Sequence, residues 1–208
     1  MKLAPIQLLC TALLALGSGW AAVAQDPHAQ HRKAMAAANN DAQDAGRMSI
    51  PDLELLNQEG EAIRFYSDLV KGRTVVINSI FTTCTTICPP MGANFAKLQK
   101  MLGDRVGKDV FLISLSVDPV VDTPPRLKAW AAKFGAAPGW TLVTGPKTDM
   151  DRLLKALKFF TPDKTDHSPI VLVGNEAQGH WRRAYGLAPP AKLAEAIDAV
   201  QAHGRTEQ

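Results

Sequence analysis

Two runs in the sequence, Val75–Phe81 and Val110–Val117, are almost unbroken stretches of β-branched and aliphatic residues. Runs of that kind mark strands covered on both faces, as in a parallel sheet flanked by helices. Between them Met91, Phe95, Leu98 and Leu102 fall at helical spacing, and Gly103 stands where the helix should stop. Strand, helix and strand in this order form a β-α-β unit, which requires a sheet with helices packed against it. An all-helical bundle and a β-sandwich are both excluded by this one segment.

The pattern continues on either side. Leu53–Leu56 and Ala62–Phe65 flank Asn57-Gln58-Glu59-Gly60 and read as two short strands about a turn. Asp122-Thr123-Pro124 reads as a helix start with a capping side chain and a first-turn proline, followed by Leu127, Trp130, Ala131 and Phe134 on one face. Thr141–Val143 is a short strand, Met150, Leu153, Leu154 and Leu157 a third apolar helix face, Ile170–Val173 a strand and His180–Tyr185 its hairpin partner. Leu193, Ile197 and Val200 give a last helix. The expected fold is α/β, a thioredoxin-like sheet with an added N-terminal β-hairpin, spanning residues 50–203 and followed by a tail at 204–208.

Cysteine count poses the next question. Three cysteines, Cys10, Cys84 and Cys88, would leave one thiol over in an exported protein. Lys2, the apolar run Leu8–Leu16 and Ala22-Val23-Ala24 read as a signal peptide over residues 1–24, which removes Cys10. Residues 3–24 also approach the ~20 apolar residues that span a bilayer, so an uncleaved anchor is the alternative. Residues 25–49, rich in Ala, Gln, Asn and Asp without apolar periodicity, read as a flexible linker, with His28 and His31 as solvated imidazoles. The protein is thus expected outside the cytoplasm, in the periplasm of a bacterium, free or tethered to the inner membrane. A formal charge of +3, with no basic block interleaved with aromatics, excludes a nucleic-acid binder.

The remaining pair, Cys84 and Cys88, lies between the first long strand and its helix. A Cys at a helix N-terminus should have its thiolate stabilised by unpaired N–H groups, so Cys88 is expected to be acidified. Three intervening residues depart from the Cys-x-x-Cys of dithiol enzymes, and the pair can act as a disulfide, a dithiol or a metal site. Thiolates select copper(I), whereas copper(II) also accepts imidazole. His167, immediately before the Ile170 strand, is the candidate nitrogen ligand, with Asp166 or a backbone carbonyl orienting its other nitrogen. His180 has the weaker claim. Met91 and the tryptophans Trp130, Trp140 and Trp181 read as core.

Phe81–Pro90, Ser116–Pro124 and Asp166-His167-Ser168 resemble, in order and spacing, the motifs of the SCO/SenC copper-binding proteins. The resemblance covers about residues 50–203. It implies copper bound by Cys84, Cys88 and His167, and a role in assembling the copper centre of cytochrome c oxidase. The expected partners are the copper-bearing oxidase subunit or another copper acceptor, with a copper donor or a thiol reductant behind it. The alternative is a thiol-disulfide reductase in which Cys84 and Cys88 are the redox-active pair. Asp118 and Asp122 are read as part of a loop near the site and not as ligands. Pro169 departs from the aliphatic residue of many family members and restores the proline that dithiol enzymes place in cis beside their cysteines; a cis bond here would favour the redox reading.

Overall fold

The structure, a computed structural model, describes residues 42–202. The expected export segment, Cys10, His28, His31 and the tail lie outside the described residues. One sheet of eight strands organises the domain in the order β1-β8-β7-β4-β5-β6-β2-β3. At its centre β4 (Thr74–Ile80) is buried along its whole length. It pairs in parallel with β5 (Val110–Ser116) and antiparallel with β7 (Ile170–Asn175). The intervening helix α1 (Cys88–Leu102) closes the β-α-β unit and ends at Gly103, whose φ of 54° is in the left-handed region that glycine tolerates.

Pleating sends alternate β4 side chains to opposite faces, and each face has its own core. Val76 and Ile80 pack with Phe95 and Leu98 of α1, Leu127 and Trp130 of α2 (Pro124–Lys133), and Leu193 and Ile197 of α4 (Pro190–Ala202). Val75 and Ile77 pack on the other face with Met150, Leu153 and Leu154 of α3 (Lys147–Ala156). Each such aliphatic side chain contributes about 1.5–3 kcal/mol when fully buried. Met91, Trp130, Trp140 and Trp181 are core residues as expected. Trp140 also donates from Nε1 to Ser114 Oγ at 3.0 Å.

Parallel pairing continues from β5 to β6 (Trp140–Thr144), and β2 (Glu54–Asn57) then adds antiparallel to β6. β3 (Ala62–Arg64) pairs with β2 about a turn in which Asn57 Oδ1 accepts the N–H groups of Glu59 and Glu61. β8 (His180–Tyr185) pairs antiparallel with β7, and Gly174 lies directly under the Trp181 ring. The chain then returns through α4, whose Gln201 donates to Thr74 Oγ1 at the start of β4.

Within the stretch read as a linker, residues 42–49 lie along the sheet edge. β1 (Gln43–Asp44) pairs antiparallel with Arg182 and Arg183 of β8, Ala45 N–H donates to Trp181 O, and Arg182 Nε donates to Ala42 O at 2.8 Å. The start of α2 also differs from expectation. Neither candidate side chain caps it: Thr123 makes no capping hydrogen bond, and the Asp122 carboxylate is engaged with Thr82 and Ser116. Among the described residues no helix is long and apolar enough to cross a membrane.

Candidate metal centre

The strand-to-helix crossover after β4 delivers two sulfurs to one place. Cys84 sits in a non-helical turn, its N–H bonded to Phe81 O at 3.1 Å, and Cys88 is the first residue of α1, followed by two prolines suited to a first turn. His167 arrives from the loop ahead of β7, the strand paired with β4, after a short 3-10 turn at Lys164–Asp166. The Sγ atoms of Cys84 and Cys88 and a ring nitrogen of His167 all lie within 4.8 Å of one another. Both cysteines are free thiols. Cys88 is wholly buried, His167 is 4% exposed and Cys84 8% exposed, so Cys84 is the sulfur nearest solvent.

Hydrogen bonding fixes the histidine tautomer. His167 Nδ1 is 2.7 Å from the Lys164 carbonyl, which can only accept, so Nδ1 carries the proton. Nε2 is left with its lone pair, 3.4 Å from Cys88 Sγ. The orienting group is thus the backbone carbonyl of Lys164 and not Asp166. Burial lowers the His167 pKa, partly offset by that carbonyl, and keeps the ring neutral as a metal ligand requires. Phe81 packs edge-on against the ring at 5.2 Å.

Acidity falls on the other sulfur than expected. The free N–H of Cys88 points at Cys84 Sγ, 3.4 Å away, so the helix N-terminus serves the preceding cysteine. Burial raises the Cys84 pKa, but the Cys88 thiol and N–H and the Thr86 N–H and hydroxyl outweigh it, and the net shift is downward. Cys88 is driven well above the ordinary thiol range, foremost by its own burial and further by Cys84. A residue four positions ahead of a helix start can thus receive the amide that sequence position assigns to the first residue.

The two aspartates of the loop after β5 hold the site together without reaching the sulfurs. Buried Asp122 accepts from Thr82 N–H at 3.0 Å, Thr82 Oγ1 at 2.6 Å and Ser116 Oγ at 2.6 Å, fastening the Cys84 turn to the end of β5. Asp118 pairs with Lys164 Nζ at 2.5 Å, fastening the His167 loop to the same segment. One loop therefore braces both halves of the donor set. Thr82, Ser116 and Lys164 carried no signal of this in the sequence; the Asp-Pro and Asp-Thr-Pro pairs were the only hint. His180 lies opposite Asn175 at the far end of the sheet, outside the donor set. The Ser168–Pro169 bond is trans, as are all described peptide bonds, so a cis proline lends no weight to the redox reading.

A model of the SCO1/SenC family matches residues 41–202, which takes in all of the described residues. The chain belongs to the SCO1/SenC family. Over 148 residues it is 36% identical to the SCO1 protein homolog of Bacillus subtilis, covering 70% of this chain and 71% of that one. The solved structure of BsSco, described as a member of the Sco family of cytochrome c oxidase assembly proteins with a disulfide switch, superposes with a TM-score of 0.63 at 27% identity. That match covers 76% of this chain and 96% of BsSco. Bradyrhizobium japonicum ScoI, solved with copper bound, shares the fold at a TM-score of 0.60 and 20% identity, over 77% of this chain and 99% of its own. The fold is accordingly the thioredoxin-like one of Sco proteins.

Proposed function

We propose that this SCO1/SenC protein is an exported copper carrier that binds the ion through Cys84, Cys88 and His167 and passes it to the copper-bearing subunit of cytochrome c oxidase. The observation that carries the reading is the convergence of two sulfurs and one imidazole nitrogen within 4.8 Å in a largely buried pocket. Two thiolates suit copper(I), and a neutral imidazole extends the set to copper(II), so one site can hold the ion in either state. Cys84, nearest the surface, is the ligand an acceptor meets first. Residues 1–24 take the protein out of the cytoplasm, as a cleaved signal or as an anchor, and a copper donor supplies the ion. The oxidase role named for BsSco agrees with this reading.

Anaerobic copper titration of the reduced protein, followed by absorption spectroscopy, tests it. The wild type should bind one copper per chain, and His167→Ala should bind copper(II) more weakly. No stoichiometric copper, together with rapid exchange against a model disulfide, would overturn the reading. A second reading, thiol-disulfide reduction, is favoured by one observation: the more acidic sulfur, Cys84, is also the more accessible one. In it Cys84 thiolate attacks a partner disulfide, releasing one partner thiolate, and Cys88 then displaces the second. The partner ends as a dithiol and this chain as a Cys84–Cys88 disulfide, which an external thiol reductant must reopen.

A further inference from the structure

The segment that bears Cys84 and Cys88 carries no charge. Every residue from Phe81 to Pro90 is uncharged, and Thr83, Thr85, Thr86, Pro89 and Pro90 are exposed. With Cys88 wholly buried and Cys84 nearly so, anything exchanging ligands with these sulfurs must press against this surface. On the loop that Asp122 ties to Thr82 stands Val120, 73% exposed; among the described residues only Met101 is a comparably exposed large apolar side chain. Val120 is displayed on a braced loop. Asp118 is tied to Lys164, Asp122 to Thr82 and Ser116, and the N–H groups of Val121 and Asp122 to Asp118 O. An apolar group on so constrained a loop loses little conformational freedom when it is covered.

The helix that follows adds charge of one sign. Arg126, Ala129 and Lys133 share one face of α2 and border a notch of about 150 Å³ together with Thr82 and Trp130. Arg126 and Lys133 are exposed and have no hydrogen-bond or ion-pair partner among the described residues. Of the acids nearby, Asp122 is engaged with Thr82 and Ser116, Asp118 with Lys164 and Glu59 with Lys128, whereas Asp166, exposed beside His167, stands on the His167 loop and not on the α2 flank. Asp163 lies on the other face of the sheet, in a hollow shared with α3. An uncharged centre with one apolar knob and a charged rim is the anatomy of a protein-docking surface.

We propose that the uncharged segment bearing Cys84, Val120 and the cations Arg126 and Lys133 form the docking face for an acidic protein, the copper acceptor. The proposal rests on the copper-carrier reading and adds to it the chemistry of the partner. Rim cations steer and orient a partner, and their effect weakens with salt. The acceptor presents carboxylates to the α2 flank and an apolar patch to Val120.

The test measures copper transfer from the loaded protein to the reduced, metal-free copper-bearing domain of the oxidase subunit from the same genome. Wild type, Val120→Asp and the double variant Arg126→Glu/Lys133→Glu are compared across a salt series. All three should bind copper with the same stoichiometry and spectrum. The double variant should transfer about tenfold or more slowly at low salt and lose or reverse the salt dependence; Val120→Asp should be about tenfold slower at low salt and, because the apolar contact is lost as well, should stay slower than wild type at high salt. Wild type that transfers copper while both variants stay within about twofold of it would overturn the docking face and leave the carrier reading standing. Wild type that transfers none overturns the carrier reading, and the docking face with it. A third arm uses anionic phosphatidylglycerol vesicles: binding abolished in the double variant with transfer unchanged would make this a lipid-contacting surface and overturn the proposal.

Discussion

Replacing Asp122 by alanine should loosen the Cys84 turn and destabilise the whole domain. The carboxylate is wholly buried and accepts three hydrogen bonds, at 3.0, 2.6 and 2.6 Å, two from Thr82 and one from Ser116. Hydrogen bonds to a charged group contribute about 1.5–3 kcal/mol each, and a buried donor left unpaired costs about 1–3 kcal/mol. The hydroxyls of Thr82 and Ser116 can rotate toward other acceptors or entering water, whereas the Thr82 N–H is fixed. A net loss of about 3–5 kcal/mol is therefore expected for Asp122→Ala, and about 1–2 kcal/mol for Asp122→Asn, which keeps the shape and one acceptor. For a domain of this size the alanine variant should melt about 10 °C lower or more. Urea unfolding of the reduced, metal-free protein gives the stability, and copper titration of the same samples reports the donor set. An alanine variant within about 1 kcal/mol of wild type, with unchanged copper affinity, would refute the claim that this carboxylate braces the site.

Limited alkylation of the reduced, metal-free protein at neutral pH should label Cys84 before Cys88, because Cys84 is both the more acidic and the more exposed sulfur; peptide mapping that finds Cys88 labelled first contradicts the assignment. Gly174→Ala would place a Cβ 2.0 Å from the Trp181 ring, so the ring must move and stability should fall by about 3 kcal/mol or more, visible as quenched or shifted tryptophan emission and a lower urea midpoint. Asp52, held at a pKa of about 2 by the Ser67 N–H and hydroxyl and by Arg64, against an ordinary 3.8, gives an acid-range signature. Its contribution is complete above pH 3.8 and is lost as the pH falls toward 2, so the stability of Asp52→Asn should vary less over that window than that of wild type.

The elements that carry long local patterns were legible in the sequence. The stripe Met91, Phe95, Leu98 and Leu102 and the runs at β4 and β5 announce themselves through periodicity, and so does the position of the two sulfurs between them. The loop bracing was not legible, because Asp122 meets Thr82 across 40 residues and Asp118 meets Lys164 across 46, and no local pattern records such a meeting. The acidity of the sulfurs was misassigned for a related reason. Helix-end reasoning identifies which amides are free, but the fold of the preceding turn decides which atom receives them. β1 escaped notice because it is two residues long and is held by backbone pairing and by the Arg182 side chain, neither of which shapes the composition of residues 42–49.

The direction of that short first strand has a practical outcome. Since β1 runs opposite to β8, the chain preceding Ala42 departs at the Tyr185 end of the sheet, beside Ile170 and the His167 loop. Helix α4 finishes at the other end, where Gln201 meets Thr74. An affinity handle or fluorophore fused after α4 should therefore leave Cys84, Cys88 and His167 unobstructed, and one fused just ahead of Ala42 should crowd them.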